Sequence, residues 1–319
     1  MSVVYFLVQQ TMYFSIPLLV VALGGMFSER SGVVNIALEG IMLMGAFTGI
    51  FFIKIMQQNS DLNGQALLLI ALLISGAVGL IYSVFHAYAS INMKADQVIS
   101  GTALNMFAPA FAIFTARMVQ NVQQITFSNQ FRIAEVPVLG SIPVIGDMFF
   151  KNAYITTYIG ILILLIAALV LYKTRFGLRL RSCGEHPQAA DSLGINIYKI
   201  RYAGVMISGF LAGMGGLIFV VPTSTNFNAT VAGYGFLALA VLIFGQWKPG
   251  RIFLAALFFG LMKTLAAVYS GIPFLQNLPI PSNVYKMIPY IATIIVLIFS
   301  SKSSQAPKAS GIPYDKGSR

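Results

Sequence analysis

The sequence is poor in charge, in thiol and in imidazole. Only 9% of its 319 residues are charged and nine are acidic, so the nucleophile and oriented base that a catalytic centre needs have few residues to draw on. The single cysteine, Cys183, excludes an internal disulfide. Two histidines, His86 and His186, leave no ligand set with zinc spacing. No metal and no cofactor are therefore expected. Lys263 and Thr264 end like a phosphate-binding loop, yet the run Phe258 to Met262 lacks a glycine immediately before the lysine and the first glycine at the required spacing. ATP, if it is used, binds elsewhere, and the chain itself is not expected to be an enzyme. No Lys or Arg precedes Arg30, so the charged start of a secretory signal is missing and residues 3–27 are expected to persist as a membrane span.

What the chain has instead is apolar length. Hydrophobic residues make up 57% and mean hydropathy is +0.81, which excludes an ordinary soluble domain. A helix of about 20 apolar residues crosses a hydrocarbon core of roughly 30 Å. The pattern predicts an all-α polytopic transmembrane helix bundle of about nine spans, near 3–27, 33–53, 65–88, 97–116, 153–172, 202–221, 233–247, 252–270 and 284–300. The span at 233–247 is short and glycine-interrupted, so a re-entrant or broken helix is the alternative there. Residues 1–300 form one transmembrane domain and 301–319 a polar, flexible tail.

Short loops rich in Lys and Arg stay in the cytoplasm. Lys173, Arg175, Arg179, Arg181, Lys199 and Arg201 place the loop 173–201 inside, and alternation brings Arg30, Lys94, Lys248, Arg251 and the tail to the same side. The N-terminus is then outside and the C-terminus inside. The net charge of +11 reads as an insertion signal and an attraction to anionic headgroups, with no indication of nucleic-acid binding.

Polar residues inside spans mark function or packing, because a carboxylate at mid-membrane costs about 3 kcal/mol on insertion scales. Glu39, with Asn35 one turn earlier on the same face, and Asn105 are the candidates for a polar substrate path. His86 reads as an interfacial residue. Gly45-x3-Gly49 and Gly209-x3-Gly213 read as sites of close helix approach. The segments Gly32–Gly45 and Ala232–Gly245 echo one another, a possible inverted repeat. The connection from Met118 to Asn152, with Pro137, Gly140, Pro143 and Gly146, reads as turns near the membrane surface or as a landing site for an external binding protein.

The loop KTRFGLRLRSCGEHPQAADSLGINIYKIR, residues 173–201, carries a short helix capped by Glu185 or His186, with Pro187 in its first turn and a stop at Gly194. Ala189 and Leu193, four residues apart, give it a narrow apolar face suited to a groove on another protein. The stretch GLRLRSCGEHPQAADSLGI resembles the coupling segment of the permease subunits of bacterial ABC importers, in the branch for nucleosides, simple sugars and branched-chain amino acids. ERSGVVNIALEGIMLMGAFTG, ADQVISGTALN and APKASGIPYDKG are similar to the purine-nucleoside subgroup of that branch. The resemblance implies a permease in a bacterial cytoplasmic membrane, with Gly184, Glu185, Pro187, Ala189, Ala190 and Gly194 in the coupling segment. It also implies a cytoplasmic ATP-binding subunit, a second permease chain and an extracytoplasmic substrate-binding protein as partners. Import of a simple sugar such as ribose is the alternative within the family. A cation-coupled secondary transporter with Glu39 as proton site is the alternative from another class.

Overall fold

A computed structural model describes residues 2–60, 62, 64–269, 281–300 and 305–317. The helices run α1 (Ser2–Arg30), α2 (Leu38–Asn59), α3 (Gly64–Ala87, continued by a π-helical turn to Asn92), α4 (Gln97–Gln120), α5 (Ile155–Lys173), α6 (Arg175–Glu185), α7 (Pro187–Ser192), α8 (Ile197–Thr223), α9 (Tyr234–Phe244), α10 (Pro249–Val268) and α11 (Ser282–Ser300). Among the described residues seven helices are long and apolar enough to cross a membrane: α1 to α5, α8 and α10. Two shorter apolar stretches, Tyr234–Phe244 and Val284–Ile295, accompany them. The protein is thus the polytopic helical bundle that its composition demands.

Helix α8 is the axis of the bundle, packing against α1, α2 and α3. Its most apolar stretch is 78% buried, against 17% for α4 and 22% for α5, which present most of their surface outward. Without a hydrophobic drive between helices in lipid, such contacts depend on close backbone approach. Both glycine motifs serve this. A Cβ at Gly45 would strike the backbone of Gly213, and one at Gly213 would strike the Ser75 carbonyl of α3.

The chain departs from the sequence reading in four places. The second span does not begin at residue 33: residues 31–37 are irregular and largely buried, and helix starts only at Leu38. The connection 118–152 is more than turns. Strand β1 (Ile125–Thr126) pairs with β4 (Asn226–Phe227), and β2 (Arg132–Glu135) pairs with β3 (Lys151–Tyr154), both antiparallel. Two- and four-residue strands are too short to show alternation in sequence. His86 is fully buried instead of interfacial, its ring bridging the Val34 carbonyl at 2.9 Å and the Ser100 hydroxyl at 3.1 Å.

The tail is the fourth departure. Its described part, 305–317, packs against the bundle: Ala309 N–H donates to the Gly184 carbonyl at 2.8 Å, Gly311 N–H to the Gly32 carbonyl at 3.2 Å, and the Arg201 guanidinium to the Ile312 carbonyl at 3.1 Å. Lys94 pairs with Asp315 at 3.0 Å, which holds that carboxyl below its ordinary range. Ala309 and Tyr314 are buried. A polar composition hid this because the backbone supplies most of the bonds.

Candidate translocation and coupling sites

Glu39 stands in the first turn of α2 and not inside a span that begins at residue 33, because the residues before Leu38 are not helical. Its two carboxylate oxygens accept from the backbone N–H groups of Gly233 at 2.9 Å and Gly235 at 2.6 Å. These are orphan donors at the start of α9, where the helix dipole favours an anion. Gly233 makes the approach possible: it caps α9 with φ +75°, a conformation that costs glycine little. The Lys263 ammonium of α10 lies 5.4 Å from the ring centre of Tyr234, the first residue of α9, and 5.6 Å from that of Tyr290. The two amides offset the cost of the carboxylate and the two aromatic rings that of the ammonium. Beside them is a cavity of about 420 Å³ lined by Gly233, Phe236, Lys263, Pro289, Tyr290 and Thr293, within the range of small-molecule sites. Its lining is mostly aromatic and aliphatic, with Lys263 and Thr293 as polar groups.

The other two polar residues serve the irregular segment next to it. Asn35 lies in that segment and not on a helical face shared with Glu39; its amide donates to the Ser208 hydroxyl at 2.9 Å. Asn105 of α4 closes the segment from outside, accepting from Gly40 N–H at 2.7 Å and donating to the Ile36 carbonyl at 2.8 Å. Gln97 accepts from Val34 N–H at 2.7 Å, and the Ser28 hydroxyl donates to the Val33 carbonyl at 2.7 Å. Irregular backbone inside a bundle has to find such partners. Lys263, Tyr290 and Phe236 were not singled out from sequence as site residues; a lysine in an apolar span was the available signal for the first.

In the coupling loop, α7 spans Pro187–Ser192 with His186 as its cap, Pro187 at the first position and Gly194 at φ +80° beyond its end. Ala189 is exposed and Leu193 is 81% exposed, whereas Ala190 packs inward against Cys183, Ile197 and Tyr314. The apolar side chains that α7 and its end expose are therefore Ala189 and Leu193. Gly184 admits the Arg30 backbone, which a Cβ there would strike. Helix α6, absent from the sequence reading, precedes α7 and buries Leu180 while exposing Leu178.

Arg30 joins this loop to α1 and to the turn after α9. Its guanidinium sits 3.7 Å from the Glu185 carboxylate and donates to the Trp247 carbonyl at 3.0 Å, while the Trp247 indole donates to Glu29 at 2.6 Å. Trp247 belongs to the turn that follows α9. That helix is thus held by a carboxylate at its N-terminus and by a cation just past its C-terminus, the two signs that its dipole favours.

A guanosine ABC transporter permease protein, NupQ, of Bacillus subtilis (strain 168) is 44% identical over 316 residues, covering 98% of this chain and 97% of the relative. A nucleoside ABC transporter permease protein, NupC, of Lactococcus lactis subsp. cremoris (strain MG1363) is 43% identical, covering 97% and 96%. A second one from that organism, NupB, is 24% identical, covering 95% and 84%. Residues 7–297 match the family described as branched-chain amino acid transport system, permease component, and with that span of helices, broken segment and coupling loop inside the match, the chain belongs to this permease family.

Proposed function

We propose that the protein carries nucleosides, purine nucleosides first, through the membrane as one permease subunit of an ATP-driven importer. The observation that carries the substrate class is the full-length similarity to permeases named for guanosine and for nucleosides. The cavity beside Glu39 suits such a cargo, since the Phe236 and Tyr290 rings can stack on a base while the Lys263 ammonium and the Thr293 hydroxyl can bond its polar edge and ribose. Asn35, Glu39 and Asn105 bound the path in this reading. Hydrolysis takes place on a cytoplasmic ATP-binding subunit that grips Ala189 and Leu193, with Gly184, Glu185, Pro187, Ala190 and Gly194 shaping the segment it grips. Two related permeases in one bacterium, NupB and NupC, favour a non-identical second permease as partner. An extracytoplasmic binding protein delivers the substrate to the strand-bearing end, and the N-terminus faces outward with the tail inside.

The test is uptake of labelled guanosine, adenosine, ribose and leucine by cells with and without the gene, under ATP depletion or under collapse of the proton gradient with ATP preserved. Gene-dependent nucleoside uptake that fails only when ATP falls is expected. Uptake that fails on collapsing the gradient while ATP persists would overturn the ATP-driven reading, and uptake of ribose alone would overturn the substrate class.

A further inference from the structure

The end of the bundle that bears the coupling loop holds a second cavity, of about 440 Å³, whose wall is assembled from separate elements: Arg30 at the end of α1, Tyr172 in the last turn of α5, Arg181 and Glu185 of α6, Lys248 before α10, and Lys308 of the tail. Four cations face one carboxylate. Glu185 lies 3.7 Å from Arg30, and among the described residues no carboxylate lies within ion-pair distance of Arg181, Lys248 or Lys308. The Arg181 guanidinium lies over the Tyr172 ring, 5.5 Å from its centre, and both residues line the cavity. Bringing four cations together around one carboxylate is unfavourable unless an anion joins them.

We propose that this cavity binds the phosphate headgroup of an anionic phospholipid. A multi-donor arginine and lysine set fits a phosphodiester, and basic pockets among helices at the cytoplasmic face are where such headgroups lodge. The lipid source, as opposed to a soluble phosphate, follows from α5. Leu162, Leu165, Ile166, Leu169 and Tyr172 recur at helical spacing and are all between 45% and 62% exposed. This apolar stripe leads along the helix to the cavity wall, so acyl chains lie on the stripe while the phosphate reaches the cations. Because the same wall includes Glu185 and the tail, a bound headgroup bridges the coupling segment to the transport helices.

The experiment uses the assembled transporter in nanodiscs of phosphatidylcholine with or without phosphatidylglycerol. Retention of phosphatidylglycerol through purification is read by mass spectrometry and thermal stability is read in parallel. The variant pair is Arg181→Gln with Lys308→Gln, and the charge-preserving control is Arg181→Lys with Lys308→Arg. Near an anionic surface each cation contributes a factor of about five, so the double variant is expected to retain phosphatidylglycerol roughly 30-fold more weakly, with the control within a few-fold of wild type. The stabilising shift given by phosphatidylglycerol should vanish in the variant, while its stability in pure phosphatidylcholine stays as in wild type. Equal retention by wild type and variant overturns the site. An equal shift from inorganic phosphate in pure phosphatidylcholine assigns a soluble anion and overturns the lipid. Loss of the ATP-binding subunit with phosphatidylglycerol retention unchanged means that an acidic surface of that partner fills the cavity, and overturns it as well.

Discussion

At Glu39 an observed cap and the proposed path residue are one side chain. The carboxylate bonds two amides at the start of α9, so its charge is used whether or not substrate is present. In Glu39→Gln the side-chain oxygen can still accept one amide hydrogen, but the second amide loses its acceptor and the helix start loses the anion its dipole favours. Hydrogen bonds to a charged group are worth about 1.5–3 kcal/mol, so uptake is expected to fall by at least roughly tenfold while the subunit still assembles with its partners; normal uptake kinetics in that variant would return Glu39 to packing alone. The coupling segment gives a sharper contrast between neighbours. Ala189 is exposed and Ala190 is buried, although the sequence treats the two alike. Ala189→Trp should leave the stability of the permease unchanged and abolish nucleoside-stimulated ATP hydrolysis in the complex. Ala190→Trp should instead destabilise the permease by about 1–3 kcal/mol through overpacking. Thermal unfolding beside ATPase assays of the two variants checks this, and identical behaviour of both would refute the docking face.

At the scale of elements, the tail and α6 enclose the only thiol. Cys183 is fully buried in a cluster with Ala190, Ile197 and Tyr314, and burial pushes its thiol up to about 11, partly offset by the Arg201 charge and the Ser182 hydroxyl. The reactive thiolate is therefore scarce at neutral pH and grows as pH rises, so maleimide labelling near pH 7.5 is expected to run at least roughly a hundredfold slower than for a free thiol. Tyr314→Ala, or removal of residues 305–317, should accelerate it strongly; an unchanged rate would mean that the tail does not cover Cys183. The tail also shows where sequence stops being informative. Spans, the glycine contacts of α8, and the bounds of α7 from His186 to Gly194 were legible because hydropathy, small-residue spacing and capping are local signals. The break before Leu38 was not, since Gly32, Val33 and Val34 continue an apolar run and the partners that permit the break, His86, Gln97 and Asn105, lie 50 to 70 residues away. Lys263 became meaningful only once Tyr234 and Tyr290 were placed beside it.

For the whole molecule, α9 is the element that connects the two ends. Eleven residues make a strut of about 16 Å, half the hydrocarbon thickness. One end of the strut rests on Glu39 beside the substrate cavity, and the turn at the other end rests on Glu29 and Arg30, which also contacts Glu185 at the coupling loop. On the proposed function, a displacement of α7 and α6 by an ATPase partner would reach Arg30 first, then Trp247, then α9, and so alter how Glu39 holds the helix start. Coupling of this kind is a shared free energy, and residues along it must be non-additive. Arg30→Gln alone is expected to lower coupled uptake several-fold while ATP hydrolysis by the complex continues. Combined with Glu39→Gln, it should cost less than the sum of the two single changes, by an interaction of at least about 0.5 kcal/mol in the logarithm of the uptake rate. Measured uptake that adds within about 0.3 kcal/mol would show that the two ends of α9 act independently, and that the drive from the coupling loop reaches the cavity through α8 or another helix instead.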